Sequence, residues 1–291
     1  MKALIVLSAG AGKGEHQTAH DAVRRVFAEA GIEFTVYTAQ NGDRVDDMVR
    51  EHLAEGYDLV VAGGGDGTVS CALAALLGTD IPLGIIPLGT GNIVAREFDI
   101  PVDIEDAVAL LAASPSRKQI DAMKIGDRVC VLNAGVGINA RVIAHTSSRS
   151  KSRFGRLAYV ATTLRMIGYR PRRIDVTVDG TKHRFRAIEV SVNNCGTLAQ
   201  AVYPRGPDYC ADDGQVDIWI LGMETVRDYV HYLVGLVFGR RKNAFFMKAS
   251  QRVVIDSRVA MTAQADGDII GTTPLEVDVL PRAVTLLVPP A

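Results

Sequence analysis

Three consecutive glycines, then an aspartate, a glycine and a threonine (Gly63 to Thr68), close an apolar run that extends from Asp58 to Ala62. Glycine has no Cβ, so its amides can approach an anion closely, and a helix beginning near Thr68 turns its positive end toward the same place. That combination suits a phosphate group. Gly64, Gly65, Gly67 and Thr68 are the cradle residues, and a β-branched residue at Gly65 is expected both to fill the phosphate space and to resist a positive φ. A carboxylate does not meet phosphate directly. Asp66 therefore calls for a cation between them, most naturally Mg²⁺, or for a proton to abstract. The pattern recurs where the strand-like run from Ile85 enters Gly89, Thr90, Gly91 and Asn92, with a helix expected through Arg96. Thr68 and Thr90 each follow a glycine at such a junction, where a hydroxyl caps the helix or bonds a phosphate oxygen. Two such loops at the C-terminal ends of two strands define one crevice.

GGGDGT followed by PLGTGN is similar to the diacylglycerol kinase catalytic-domain family, which includes bacterial lipid kinases and the sphingosine and ceramide kinases. The likeness covers nearly the whole chain. GGDG also occurs in NAD kinases and phosphofructokinases, whereas the PLGTGN loop at this spacing is particular to the lipid kinases. The resemblance implies an ATP-dependent, Mg²⁺-dependent kinase that passes the γ-phosphoryl group to a lipid hydroxyl, most naturally that of diacylglycerol. ATP lies on Gly64 to Thr68, on Gly89, Thr90 and Asn92, and beside Thr38, which matches a family threonine at the nucleotide. The family's first turn usually reads Asn-Pro and then glycine. Here it is Ser8-Ala9-Gly10-Ala11-Gly12-Lys13-Gly14, with Gly10 and Gly12 as nucleotide-lining backbone and Lys13 open between phosphate and solvent. A Walker loop is excluded, because the spacing is wrong and no Ser or Thr follows the lysine.

Phosphoryl transfer to an alcohol also needs a base near the hydroxyl. Asp266 and Asp268, flanking Gly267, resemble the family's Asp-Gly-Glu element, and with Asp66 they form the catalytic set. The third residue is aspartate here, which draws its carboxylate back by about 1.5 Å. The choice of base between Asp266 and Asp268 stays open. PDYCADDGQVDIW resembles the segment that holds a structural Mg²⁺. Carried across, Asp213 is the side-chain ligand, Cys210 and Gln215 supply carbonyls, and Asp212 is the neighbouring alternative. Other acidic positions of the family read Ile93, Cys71 and Asn139 in this chain. Two other readings stand beside the lipid kinase: an NAD kinase-like phosphotransferase with a soluble acceptor, and a non-catalytic lipid- or nucleotide-binding module.

The elements that must carry these loops follow from pattern. With 291 residues, 48% of them hydrophobic, the chain buries one large core or two ordinary ones. Strands and helices alternate up to about residue 112, including a helix from Val69 to Leu77, which gives a doubly wound parallel sheet. From about Asp121 the texture turns to short alternating strands. One hairpin signal runs from Ile174, Val176 and Val178 through Asp179-Gly180 and back along Ala187, Glu189 and Ser191. The expected architecture is an α/β nucleotide domain over 1–120 and an antiparallel β-sandwich lipid domain over 121–281, with the chain end from about 282 to 291 returning to the first.

A formal net charge of -1 gives no bulk attraction to nucleic acid, and no nucleic-acid partner is expected. Cys71, Cys130, Cys195 and Cys210 have no paired spacing, which points to a reduced, cytoplasmic setting. The six histidines are dispersed and are assigned no chemistry. The opening apolar run is too short for a signal peptide and no transmembrane helix is expected. Two segments mix basic and apolar residues, one between Arg141 and Arg173, the other around Phe238, Arg240, Arg241, Lys242, Phe245 and Phe246. Such mixtures suit a peripheral contact with the inner membrane face. A homodimer through an edge strand is the remaining partner considered.

Overall fold

Short Val-, Ile- and Leu-rich runs bounded by glycine form the first strands, and they tolerate apolar residues at every position because helices cover both faces. In the computed structural model, residues 1–10, 13–40, 42–113, 115–138, 140, 170–196, 209–222 and 244–290 are described. The first unit, Met1–Ala122 with Pro281–Ala291, contains β1 (Lys2–Ser8), α1 (Lys13–Glu29), β2 (Glu33–Ala39), α2 (Val45–Leu53), β3 (Leu59–Gly64), α3 (Asp66–Leu76), β4 (Leu83–Pro87), α4 (Ile93–Glu97) and α5 (Ile104–Ala112). The strands lie parallel in the order β2-β1-β3-β4. Ala3, Ile5 and Leu7 of β1 pack with Val23 and Phe27 of α1 and Val108 and Leu111 of α5. The alternate residues of the pleat, Leu4 and Val6, are equally buried, on the other face, where α2 and α3 pack on each other and on the strands. Full burial of such side chains contributes about 1.5–3 kcal/mol each.

β5 (Ser116–Ile125) leads from this unit into the second, Met123–Leu280. There follow β6 (Arg128–Cys130), β7 (Asn133–Gly137), β8 (Arg172–Val178), β9 (Thr181–Ala187), β10 (Glu189–Asn193), β11 (Val216–Leu221), β12 (Ala244–Ala249), β13 (Arg252–Ser257), β14 (Thr262–Ala265), β15 (Asp268–Thr272) and β16 (Leu275–Val288). One antiparallel sheet runs β12-β11-β10-β7-β14-β15. Facing it, β8 pairs with β9 and with β13, and β13 pairs with the first half of β16. Their inner faces meet in one core, with Val176, Val253 and Val277 against Val136, Val190 and Ile218. The sequence expectation of a parallel α/β part and an antiparallel β part holds.

Two local expectations are corrected. The hairpin at Asp179-Gly180 forms, with φ of 46° and 85° at its two turn residues, as a type I′ turn requires. The return strand, however, ends at Ala187, and Glu189 and Ser191 belong to β10 in the other sheet. The second correction is the start of α3, which begins at Asp66, three residues before the expected Val69. Late in the chain β16 bends at Arg282, whose φ is +48°. Its N–H donates to Asp121 Oδ1 at 2.7 Å. Beyond the bend Leu286 pairs parallel with Leu83 of β4.

Candidate functional site

The first unit brings Gly10, Thr38, the Gly64–Thr68 loop and the Gly89–Asn92 loop to the C-terminal ends of β1, β2, β3 and β4. That is the end at which open parallel sheets bind ligands. Gly65 caps α3 from an extended backbone with φ -85° and no side-chain cap. Gly65 is therefore not in the left-handed region, and the expected positive φ is corrected. What glycine provides here is close approach. A Cβ on Gly89 would stand 2.5 Å from Gly65 Cα and 2.9 Å from Asn92 Oδ1, and one on Gly64 would collide with Thr68. The two glycine loops thus touch backbone to backbone.

Asp66 fastens that contact. Its Oδ1 accepts from the N–H groups of Ile93 at 2.6 Å and Val94 at 3.2 Å, so it caps α4 from another loop. Its Oδ2 has no hydrogen-bond donor among the described residues. Asn92, at a left-handed φ of 48°, turns its amide onto its own loop. Oδ1 accepts from Gly89 N at 2.9 Å and Nδ2 donates to Gly89 O at 2.8 Å. Its side chain holds the second loop shut. Thr90 is exposed and Thr68 half-buried. Thr38 is exposed at the end of β2, with Oγ1 3.4 Å from His16 Nε2, which places a histidine beside a predicted nucleotide residue. Gly10 lies in the turn after β1, and Gly12 lies outside the described residues, as does Asn139.

In the second unit Asp266 has a φ of +46° at the turn between β14 and β15. Its Oδ2 accepts from Val131 N at 3.1 Å, and its Oδ1 accepts from Leu132 N and Asn133 N at 3.1 and 3.0 Å. The turn is fixed further by Gly267 N, which donates to Gln264 Oε1 at 3.0 Å. Asp268 starts β15 with its side chain 79% exposed, 3.7 Å from Arg128. Burial, with the Asp266 charge secondary, pushes the neighbouring Cys130 thiol well up, so Cys130 is an inert core residue.

In the segment carrying Asp213, donors of this chain occupy both oxygens of the carboxylate expected to hold Mg²⁺. Asp213 Oδ1 accepts from Gln215 N at 3.0 Å and Oδ2 accepts from Lys248 Nζ at 2.8 Å. Cys210 Sγ donates to Asp212 Oδ1 at 2.8 Å, which raises the thiol's pKa. No cluster of three or more His, Cys, Asp or Glu suited to a metal occurs among the described residues. The buried Asp217 carboxyl is pushed up to about 6 by desolvation, against the pull of Lys248.

Sequence reading missed Lys248, Asp217 and Asp121. Asp121 is fully buried, and the available signal was a lone acid inside the apolar run Ile120-Asp121-Ala122-Met123. Of the two membrane-directed segments, 141–169 and 223–243 lie outside the described residues. Phe245 on β12 is exposed, its ring 5.3 Å from that of Phe185. No helix among the described residues is long and apolar enough to cross a membrane.

Comparison with known proteins agrees with the fold. The family model for the diacylglycerol kinase catalytic domain matches residues 2–125, and that for the YegS C-terminal NAD kinase beta sandwich-like domain matches residues 132–288. A diacylglycerol kinase of Mycobacterium tuberculosis (strain H37Rv) is 26% identical over 94% of this chain and 90% of its own length. An uncharacterized protein of Synechocystis is 25% identical over 94% of this chain, which spans 65% of that longer protein. The crystal structure of a diacylglycerol kinase from Bacillus anthracis superposes with a TM-score of 0.80 at 23% identity, covering 99% of this chain and 97% of that one. That last likeness concerns the fold.

Proposed function

The chain belongs to the diacylglycerol kinase family of lipid kinases, and from that premise we propose that it transfers the γ-phosphoryl group of ATP to the hydroxyl of diacylglycerol or a lipid of similar shape, with Mg²⁺ on the nucleotide. One observation carries the reading. Asp66 ties the two glycine loops together through Oδ1 and keeps Oδ2 without a donor among the described residues, at the loop where phosphates are expected. Mg²⁺ is commonly held by one or two carboxylates together with substrate phosphates, and Asp66 Oδ2 suits that role. The ion supplies charge neutralisation to the phosphoryl group in transfer.

The chain's own residues do the positioning. Uncapped amides at the start of α3, with Gly64, Gly65, Gly67 and the Thr68 hydroxyl, bind phosphate oxygens. Gly89 and Thr90 supply the facing loop, and Asn92 keeps it closed. Gly10, Gly12 and Thr38 line the rest of the nucleotide. Asp266, held by three amides, receives the hydroxyl proton, and the exposed Asp268 is the alternate. A kinase aspartate works by position more than by basicity, so a firmly held carboxylate fits. A lipid acceptor and ATP meet at the cytoplasmic membrane surface, where the enzyme acts peripherally.

The test is purified protein with radiolabelled ATP, Mg²⁺ and a panel of lipids, separated by chromatography. Label in a phosphorylated lipid, strongest for diacylglycerol, supports the proposal. Label only in a water-soluble acceptor such as a dinucleotide would overturn it.

A further inference from the structure

The loop from Cys210 to Asp217 carries a carboxylate for which the family leads one to expect a divalent cation, yet a cation of another kind is already there. Lys248 sits on β12 directly opposite Asp217 of β11 in the antiparallel register. From that position its ammonium reaches Asp213 Oδ2 at 2.8 Å and stands 4.0 Å from Asp217 Oδ1. The other Asp213 oxygen accepts from Gln215 N–H within the turn. Both carboxylate oxygens of Asp213 are therefore engaged by donors of this chain. A divalent ion on Asp213 would have to displace the ammonium or share an oxygen with it at like-charge distance, which electrostatics opposes. Mg²⁺ also demands a near-octahedral set of oxygens at about 2.0–2.1 Å. An ammonium makes no such demand, since its three donors rotate freely on a flexible stem. Asp217 is 5% exposed at its side chain, and a buried carboxylate needs a compensating charge nearby. Lys248 serves both acids from one place.

We propose that Lys248 takes the place of a divalent cation at the 210–217 loop, joining the turn before β11 to the neighbouring strand β12 without metal. The inference concerns the second unit alone and does not depend on which lipid is phosphorylated. It implies that chelation stops phosphoryl transfer through the nucleotide and leaves the fold as it was.

The experiment is thermal unfolding of the nucleotide-free protein in EDTA and in excess Mg²⁺, for wild type, Lys248→Met and the double variant Lys248→Met/Asp213→Asn. Wild type is expected to unfold at the same midpoint in both buffers. Lys248→Met should unfold roughly 3–6 °C lower in EDTA and recover most of the loss in Mg²⁺, because its two carboxylates then accept the ion. The double variant should lose the Mg²⁺ response, tying the ion to Asp213. A wild-type midpoint that falls in EDTA and returns with Mg²⁺ overturns the proposal, because the loop would then hold metal despite Lys248. A Lys248→Met variant indifferent to Mg²⁺ also overturns it, reducing Lys248 to an ordinary ion-pair partner. Should Lys248→Met fail to fold in EDTA, refolding with Mg²⁺ gives the same readout: recovery supports the proposal and continued failure overturns it.

Discussion

Asp66 and Asp266 solve one structural problem in two ways. Each is an aspartate beside a glycine, Asp66 at the start of α3 and Asp266 at the turn between β14 and β15, and each caps the backbone amides of a distant segment. Asp66 does so with one oxygen, toward Ile93 and Val94. Asp266 uses both, toward Val131, Leu132 and Asn133. The first keeps an oxygen turned away from its own structural bonds and suits a cation. The second is fixed on three sides and suits a task that rewards position. Residue type and neighbouring glycines are alike in the two motifs, so the number of amides each oxygen already serves is what separates their chemistry.

The largest expected effect breaks the first half of that contrast. Asp66→Asn keeps an oxygen for the Ile93 and Val94 amides and loses the charge, so turnover should fall by roughly 10³-fold while the melting temperature moves little. Steady-state kinetics and thermal unfolding on the same preparation check this pairing. Asp266→Asn should behave differently. Its amide nitrogen would face at least one backbone donor, which costs stability by about 1–3 kcal/mol in addition to lost turnover. Urea unfolding measures the stability part, and an Asp266→Asn protein as stable as wild type would dissolve the distinction between the two aspartates. Asp268→Asn, being exposed, should leave stability unchanged.

Next in size are the glycines. Gly89→Ala places a Cβ 2.5 Å from Gly65 Cα, so the loops must separate, at about 1–3 kcal/mol and with weaker ATP binding. Gly65→Ala meets Gly89 Cα only at 3.4 Å, an ordinary contact, and its φ of -85° suits any residue. It should fold like wild type, and calorimetry with ATP then reports whether phosphate approaches that backbone. Equal destabilisation by the two substitutions would contradict the loop contact described above.

These local roles show what was legible in the sequence. Glycine at strand ends, two facing loops and the change from helical to alternating texture are local signals, and they led to the family and the fold class. The partners of Asp66 and Asp266 were not local. Asp66 reaches 27 residues and Asp266 up to 135 along the chain to their amides, and no periodicity carries such information. The expectation that Asp213 binds metal is opposed by Lys248, 35 residues away, which becomes visible only once β11 and β12 pair. The switch of sheets after Ala187 did leave a local trace, a change of phase: the inward positions of β9 are odd-numbered, Phe185 and Ala187, whereas the apolar positions that follow are Ile188, Val190 and Val192.

The smallest expected effect concerns a carboxylate held by cations instead of amides. Hydrogen bonds from Arg184 and then Lys182 lower the Asp175 carboxyl to about 2. A depressed pKa stabilises the fold above the unfolded value and loses that contribution as pH falls through about 2. Arg184→Gln should therefore lower stability slightly at neutral pH, less so in high salt because the arginine is largely exposed, and not at all below about pH 2. Carboxylate titration followed by NMR should show Asp175 moving up toward 3.8 in the variant.

In the proposed reaction Asp66 Oδ2, which has no donor among the described residues, serves Mg²⁺ during phosphoryl transfer to a lipid hydroxyl. The most direct measurement is lipid phosphorylation from labelled ATP by wild type and Asp66→Asn across a Mg²⁺ titration. Wild type should phosphorylate diacylglycerol with a saturable Mg²⁺ dependence, and the folded variant should stay roughly 10³-fold slower at every Mg²⁺ concentration. A variant that matches the wild-type rate at any Mg²⁺ concentration would contradict the account.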